Sequence, residues 1–179
     1  MNLEPEFCRP VRIDTLGSEP RRIALAADEA ERRALAGRFG LVAVARLEAE
    51  AAVSRSGEVV TAAGTLRAEV TQSCVATGEP LDASVEAQFR IEFRPTPAAR
   101  TDDEIELDET ELDVVFHDGV AIDLGEAVAE TLPLALEPYP RSPGAEEALK
   151  TAGVKGEDEV ARAPSPFAAL AALKDKPKP

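Results

Sequence analysis

The chain is poor in the residues that build cross-links and catalytic sites. Its 179 residues include two cysteines, one histidine and no tryptophan. Cys8 and Cys74 are far apart in the sequence, so they do not supply the set of disulfides typical of small exported proteins. One histidine also leaves a catalytic triad or a histidine-rich metal site without its usual members. Aromatic residues make up 4% of the chain, so we expect a core of Ala, Val and Leu.

Long apolar runs and an excess of positive charge are missing as well. No stretch approaches the roughly 18 apolar residues of a membrane helix, and residues 1–7 resemble no export signal. Acidic residues number 34 against 20 basic ones, which gives a net charge of −14. Such a field repels nucleic acid and anionic membranes and favours positively charged partners. We therefore expect a soluble, reduced, cytoplasmic protein that binds neither DNA nor membrane.

Alternating apolar residues predict a β-sheet. Residues 41–54, 58–70 and 81–93 have an apolar residue at every second position, the pattern of strands with one buried face. Short turns between them indicate an antiparallel meander, with 71–80 as a hairpin connection. Shorter strands are expected at 7–13 and 21–25, and His117-Asp118-Gly119 between two apolar triplets suggests a further hairpin. His117 itself is interpreted as a surface residue beside this turn.

Two capping boxes predict helices. Asp28 with Glu31 favours a helix over 28–38, and Asp123 with Glu126 begins a longer one. The apolar spacing of the longer helix suits it to cover the sheet, with a bend expected at Pro133. The predicted fold is α+β, with an antiparallel meander of about five to seven strands covered by one main helix. A short N-terminal helix and a C-terminal amphipathic helix on a flexible tether complete it.

The predicted domain organisation has three parts. Residues 1–141 form a single α+β domain, and the polar, Gly/Pro-punctuated segment 142–164 is expected to be a flexible linker. Residues 165–179 are expected to form a short amphipathic helix and a basic tail. Its apolar residues Phe167, Leu170 and Leu173 either dock on the parent domain or bind a partner.

Residues 102–113 contain eight acids in twelve positions. The plainest interpretation is a solvated loop or edge strand. A second is a docking surface for a basic partner, formed by Asp102, Asp103, Glu104 and Glu106. A carboxylate metal or hydrolytic site has the least support, because such chemistry needs two or three acids at a fixed separation.

Three strings, in this order, carry a resemblance to a known family. They are VTQSCVATGEP at 70–80, IDLGE at 122–126 leading to LALEPYPR at 134–141, and PFAALAALK at 166–174. The chain resembles the bacterial family of large ribosomal RNA subunit accumulation proteins, often called YceD. The resemblance implies a small cytoplasmic α+β factor needed for normal accumulation of large-subunit ribosomal RNA.

The chain departs from that family at one feature. Many relatives carry Cys-x-x-Cys in the hairpin and a further cysteine after the main helix, which implies a metal site. Here Cys74 matches the first position, Thr77 occupies the second, and residues 139–144 contain no cysteine. We therefore expect no zinc and no other cofactor, with the hairpin held by turn chemistry and by packing against Tyr139 and Arg141. Cys74 is then a buried turn residue, a remnant of a metal site, or a reactive thiol.

The leading hypothesis is a non-catalytic ribosome biogenesis factor that binds ribosomal RNA, a ribosomal protein, or both. Its rival is an acidic adaptor that shields a basic ribosomal protein without touching RNA. An enzyme such as a carboxylate hydrolase has no supporting motif. The candidate binding surface comprises Arg67, Gln72, Cys74, Thr77, Gly78, Arg90, Tyr139 and Arg141.

Overall fold

Seven strands and three helices form the described part of the chain. The structure is a computed structural model and describes residues 5–97 and 114–155. The strands are β1 (Pro10–Arg12), β2 (Arg21–Ala26), β3 (Ala43–Ser56), β4 (Val59–Ser73), β5 (Pro80–Pro95), β6 (Val114–His117) and β7 (Ala121–Asp123). The helices are α1 (Glu29–Phe39), α2 (Leu124–Ala135) and α3 (Ala145–Thr151). The predicted α+β fold is confirmed.

The main sheet has five strands in the order β2-β3-β4-β5-β6. Its first three pairings are antiparallel, whereas β6 runs parallel to β5 with Val114 opposite Glu92. The sheet is therefore mixed, not a purely antiparallel meander. The chain leaves β5 at Pro95 and re-enters the sheet at Val114, opposite Glu92. From there β6 runs towards the position opposite Pro95, which is the direction of β5.

The hairpin expected around His117-Asp118-Gly119 is wrong. The turn itself forms, because the Oδ1 atom of Asp118 accepts a hydrogen bond from the Val120 N–H at 2.8 Å and Gly119 has a φ of 88°. Its two flanking strands, however, join different sheets. β6 pairs with β5, and β7 pairs with β1 in a separate two-stranded antiparallel sheet.

The core lies on one face of the main sheet. Leu47, Leu66 and Phe93 from its three long strands are each at most 1% exposed. Helix α2 covers this face with Val128 and Leu132, both fully buried. Helix α1 also packs on β3, so two helices, not one, cover the apolar face.

Local capping fixes the start of each long helix. At α1 the Oδ1 atom of Asp28 accepts from the Glu31 N–H at 2.9 Å, and the Glu31 carboxylate accepts from the Asp28 N–H at 2.8 Å, a complete capping box. At α2 the Asp123 carboxylate accepts from the Glu126 N–H at 3.1 Å. This helix is not interrupted at Pro133, and it ends two residues later.

Arginines join the N-terminal segment to both long helices. Arg38 of α1 donates to Glu6 at 2.9 Å and to Glu126 of α2 at 2.7 Å. Arg9 holds Glu31 through two bonds of 2.6 and 2.8 Å. These partly buried ion pairs fix α1 and α2 relative to the N-terminal segment.

Helix α3 lies inside the segment that the sequence assigned to a linker. Ala145 at its start is 1% exposed and the preceding Ser142 is 7% exposed, so the chain packs on the domain beyond residue 141. Residues 156–179 and the acidic run at 102–113 lie outside the described residues. Within 5–97 and 114–155, no helix is long and apolar enough to cross a membrane.

Candidate functional site

The connection between β4 and β5 is a tight, internally bonded turn. The N–H of Cys74 donates to the carbonyl of Glu79 at 2.8 Å, and the N–H of Gly78 donates to the carbonyl of Cys74 at 2.9 Å. Gly78 has a φ of 75°, a conformation that glycine adopts without steric cost. The predicted hairpin connection is therefore closed by backbone hydrogen bonds.

A second segment, from residue 137 to 142, folds against this turn. The side-chain amide of Gln72 donates to the Glu137 carbonyl at 3.0 Å, and the Val75 N–H donates to the Pro140 carbonyl at 2.9 Å. The Ser142 N–H donates to the Sγ atom of Cys74 at 3.3 Å. We call residues 72–79 and 137–142 together the hairpin-loop junction. It joins two parts of the chain that are more than sixty positions apart.

Cys74 is the buried centre of the junction, with 2% of its surface exposed. The Thr77 hydroxyl and the Ser142 N–H stabilise its anion and lower the pKa of the thiol to about 6. The hydroxyls of Thr77 and Ser142 lie 3.4 Å apart. The junction thus gathers one sulfur and two hydroxyls at the position where the resemblance implies a metal site.

These side chains do not fit a zinc ion. Structural zinc is held by thiolate, imidazole or carboxylate ligands, and serine and threonine hydroxyls are not among them. Across the two described ranges, no group of three or more His, Cys, Asp or Glu residues comes together as a metal site. Hydrogen bonds connect the hairpin to the loop in place of coordination.

The outer surface of the junction mixes apolar, aromatic and charged groups. Tyr139 is 71% exposed and Val75 is 55% exposed, and both stand beside the exposed Arg141. Residues 72–82 and 137–155 carry five exposed carboxylates and three exposed cations, which are Arg141, Lys150 and Lys155. One of these cations, Lys150, is bonded to Glu146 at 2.6 Å. The carboxylates belong to Glu79, Asp82, Glu137, Glu146 and Glu147.

Two predicted surface residues lie away from the junction. Arg67 and Arg90 are on the solvent face of the main sheet, opposite Glu86 and Ala63 respectively. Arg67 is seven residues before Cys74 on one strand, which corresponds to about 23 Å at the usual strand rise. Arg90 is farther still, so these two arginines do not gather with Arg141.

Most arginines on this solvent face have carboxylate partners. Arg67 contacts Glu86 at 3.1 Å, and the same face holds two further pairs: Arg46 with Glu69 at 2.8 Å, and Arg94 with Glu92 at 3.1 Å. Among the described residues, Arg22 and Arg90 form no ion pair. The face is close to electrically neutral and is not a basic patch.

His117 is buried, not a surface residue as its position beside a turn suggested. Its side chain is enclosed at 7% exposure. The Gly119 N–H donates to Nδ1 at 3.0 Å, so Nε2 of the neutral ring carries the proton and donates to the Glu58 carbonyl at 3.1 Å. The histidine therefore joins the β3-β4 turn to the turn that precedes β7 through these two hydrogen bonds.

Sequence reasoning missed the residues that close the junction from the far side. Ser142 and the carbonyls of Glu137 and Pro140 contact the hairpin. The sequence signals for this contact were the proline-rich string and the resemblance, which led us to expect packing against the neighbouring Tyr139 and Arg141 instead. Prolines there favour an extended chain, which can pass alongside a turn and offer its carbonyls. Which turn it reaches is decided by the tertiary fold.

The fold and the junction define a small α+β protein with a hairpin joined to a downstream loop. A family model described as large ribosomal RNA subunit accumulation protein YceD matches residues 62–174. The match covers more than half of the chain and includes the whole junction, so the chain belongs to this family. No curated protein and no solved structure matches the chain.

Proposed function

We propose that the protein is a non-catalytic ribosome biogenesis factor that acts in the cytoplasm. It supports accumulation of large-subunit ribosomal RNA by binding that RNA, a large-subunit ribosomal protein, or both. Family membership over residues 62–174 is the observation that carries the proposal. Binding to the RNA or to a ribosomal protein is the mechanism that we propose for this role.

The hairpin-loop junction is the contact surface that we propose. Hydrogen bonds between Gln72, Cys74 and the loop hold it in one shape, so binding costs little ordering entropy. Tyr139 presents an exposed ring that suits stacking on an unpaired base or filling a pocket of a protein. Arg141 beside it supplies a charged donor for a phosphate or a carboxylate.

An acidic adaptor that shields a basic ribosomal protein without touching RNA is the second candidate. The charge distribution favours it, because residues 72–82 and 137–155 carry five carboxylates against three cations and the sheet arginines are largely ion-paired. Asp102, Asp103, Glu104 and Glu106, outside the described residues, would add to this negative field. A basic partner is attracted by such a field and RNA is repelled.

Sedimentation of the tagged full-length protein through a sucrose gradient tests the proposed function. Gently lysed cells are compared with and without ribonuclease treatment. Co-migration with large-subunit precursors supports a biogenesis factor, and loss of co-migration after ribonuclease supports an RNA-dependent contact. A protein that stays at the top of both gradients contradicts stable association with the precursors.

Charge variants separate the two modes of binding. Replacing Asp102, Asp103, Glu104 and Glu106 by their amides abolishes capture of a basic ribosomal protein if the adaptor mode operates, and leaves RNA binding unchanged or stronger. Replacing Arg141 by Gln weakens RNA binding and lowers its salt slope by about one unit if that side chain contacts a phosphate. Arg22→Gln on β2 is the control, because it makes the same charge change at an exposed arginine opposite Ala52, far along the sheet from the junction.

A further inference from the structure

The C-terminal half of α2 borders an uncovered apolar groove. Leu134 is 83% exposed although most apolar residues of this helix are buried. A groove of about 350 Å³ runs between the helix and β5. It is lined by Ala87, Gln88, Phe89, Arg90 and Ile91 of β5 and by Thr131, Leu134 and Ala135 of α2. A neighbouring depression of about 170 Å³ shares Ile91, Thr131 and Leu134, so the apolar surface continues towards β6.

The adjoining part of β5 is also incompletely covered. Ala83 and Val85 face the core side beside Val70 and Ala68, but both are only half-buried, whereas Phe93 on the same face is 1% exposed. Strand β6 pairs with β5 only from Glu92 to Pro95. Within the described residues, nothing pairs with this edge of β5 over 80–91. The groove and this edge form one continuous surface that a further segment can cover.

We propose that residues 166–174 of the same chain occupy this groove. The predicted helix there carries Phe167, Leu170 and Leu173 on one face, which matches an apolar groove beside an exposed leucine. The family model extends through residue 174, so this segment belongs to the same family unit as the groove. The inference concerns packing within the chain and stands apart from the choice between RNA and protein partners.

The connecting chain is long enough for this contact. The described chain ends at Lys155, shortly after α3. Ser142, which lies just before α3, contacts Cys74 near the start of β5. Residues 156–166 span up to about 36 Å when extended. From Pro80 to Ala87 along β5 is about 23 Å, which is within that span.

Charge favours this segment over the acidic run at 102–113. That run has eight acids in twelve positions, and the exposed Glu130 lines the neighbouring depression, so like charges would repel the run there. Residues 166–174 contain no acid, and Lys174, Lys176 and Lys178 come at or after their end. The C-terminal segment therefore complements the apolar side chains of the groove and the carboxylate of Glu130 beside it.

A tryptophan reporter in the full-length chain tests the proposal. The chain has no tryptophan, so Leu134→Trp adds a single fluorophore at the groove. The comparison is with a triple variant that carries the reporter together with Phe167→Ser, Leu170→Ser and Leu173→Ser. We expect the emission of the reporter to be blue-shifted, and its acrylamide quenching constant to be several-fold lower, when the C-terminal segment is unsubstituted. The matched control carries Ala168→Ser and Ala172→Ser on the opposite helix face and keeps the shielded signal.

Two results would overturn the proposal. The first is a solvent-exposed reporter in the unsubstituted C-terminal background. The second is a reporter that stays shielded in the triple variant. Shielding that depends on protein concentration would then assign the groove to a second copy of the chain, and shielding that does not would assign it to the acidic run. Hydrogen exchange of the chain without the reporter gives an independent check. Protection over 80–91 and 124–136 should fall in the triple variant, while protection over 21–39 stays unchanged.

Discussion

The backbone N–H of Ser142 donates a hydrogen bond to the Sγ atom of Cys74 across 3.3 Å. This bond, with the Val75 N–H donating to the Pro140 carbonyl at 2.9 Å, makes the β4-β5 hairpin and the loop after α2 a single unit. The unit is held by hydrogen bonds around one thiol. The strength of the Ser142–Cys74 bond therefore depends on the ionisation of that thiol.

Cys74 should titrate well below an ordinary cysteine. In a Cys8→Ser background, which leaves one thiol, the ultraviolet absorbance of the thiolate should rise with a midpoint near pH 6, because hydrogen bonds from Thr77 and Ser142 favour the anion. Thr77→Val removes the hydroxyl and should move the midpoint upward. A midpoint at the usual value of about 8.5 in the parent protein would contradict this account.

The lowered pKa of Cys74 also makes the free energy of unfolding depend on pH. A thiol with a lowered pKa in the folded state adds stability that is fully present above about pH 8.5 and is lost as the pH falls through about 6. The stability advantage of the parent over Cys74→Ser, measured by urea denaturation, should therefore shrink from alkaline to acidic pH. An advantage that stays constant across this range would show that the thiolate contributes nothing.

Gly64→Ala should be among the most damaging small substitutions in the sheet. An added Cβ would overlap the Glu50 carbonyl oxygen and lie 2.9 Å from the Ala51 Cα atom, both in the backbone of β3. Separating the two strands should cost about 1–3 kcal/mol or more. Gly37→Ala on α1 is the matched control, since nothing lies within 4 Å of its added Cβ. It should raise stability by up to about 1 kcal/mol, because alanine favours a helix.

Glu31→Gln should weaken the start of α1. The carboxylate caps the Asp28 N–H and binds Arg9, and the Arg9 hydrogen bond lowers its pKa. We expect a loss of about 1 kcal/mol at neutral pH. The difference from the parent should shrink as the pH falls below the usual glutamate value of about 4.3, where the stability from a lowered pKa is lost.

Glu29→Gln provides the control for that prediction. It makes the same change on the same helix, where an exposed pair with Arg33 at 2.8 Å is worth about 0.3–0.5 kcal/mol. Thermal melts across the acidic range should therefore separate the two variants. Equal losses at every pH would show that the capping box and Arg9 add nothing beyond a surface ion pair.

Local signals predicted much of the fold. The three long strands follow from alternation over 41–93, and the capping box at Asp28 and Glu31 forms as its spacing indicates. These features depend on neighbours within a few residues, so the sequence contains most of the information that specifies them.

Features that depend on distant partners were not predictable in the same way. Asp118 and Gly119 do form a turn, but the sequence could not show that the flanking strands join different sheets, or that the turn buries His117 beside Glu58. The arginine pairs on the sheet depend on register, which alternation leaves open. Ser142 was likewise invisible as a partner of Cys74, because a serine in a polar segment carries no sign of its distant contact.

We propose that the exposed side of the hairpin-loop junction supports accumulation of large-subunit ribosomal RNA. The most direct test of this proposal uses cells that lack this protein and carry either the parent chain or a Tyr139→Ala, Arg141→Ala variant. The measured quantity is the ratio of large-subunit to small-subunit ribosomal RNA, at matched protein levels. A Val120→Ala, Arg22→Ala variant changes two exposed side chains away from the junction and serves as the control.

We expect the parent and the control to restore the ratio, whereas the junction variant accumulates as folded protein and leaves the ratio low. Full restoration by the junction variant would show that this surface is not needed for accumulation of the large-subunit RNA.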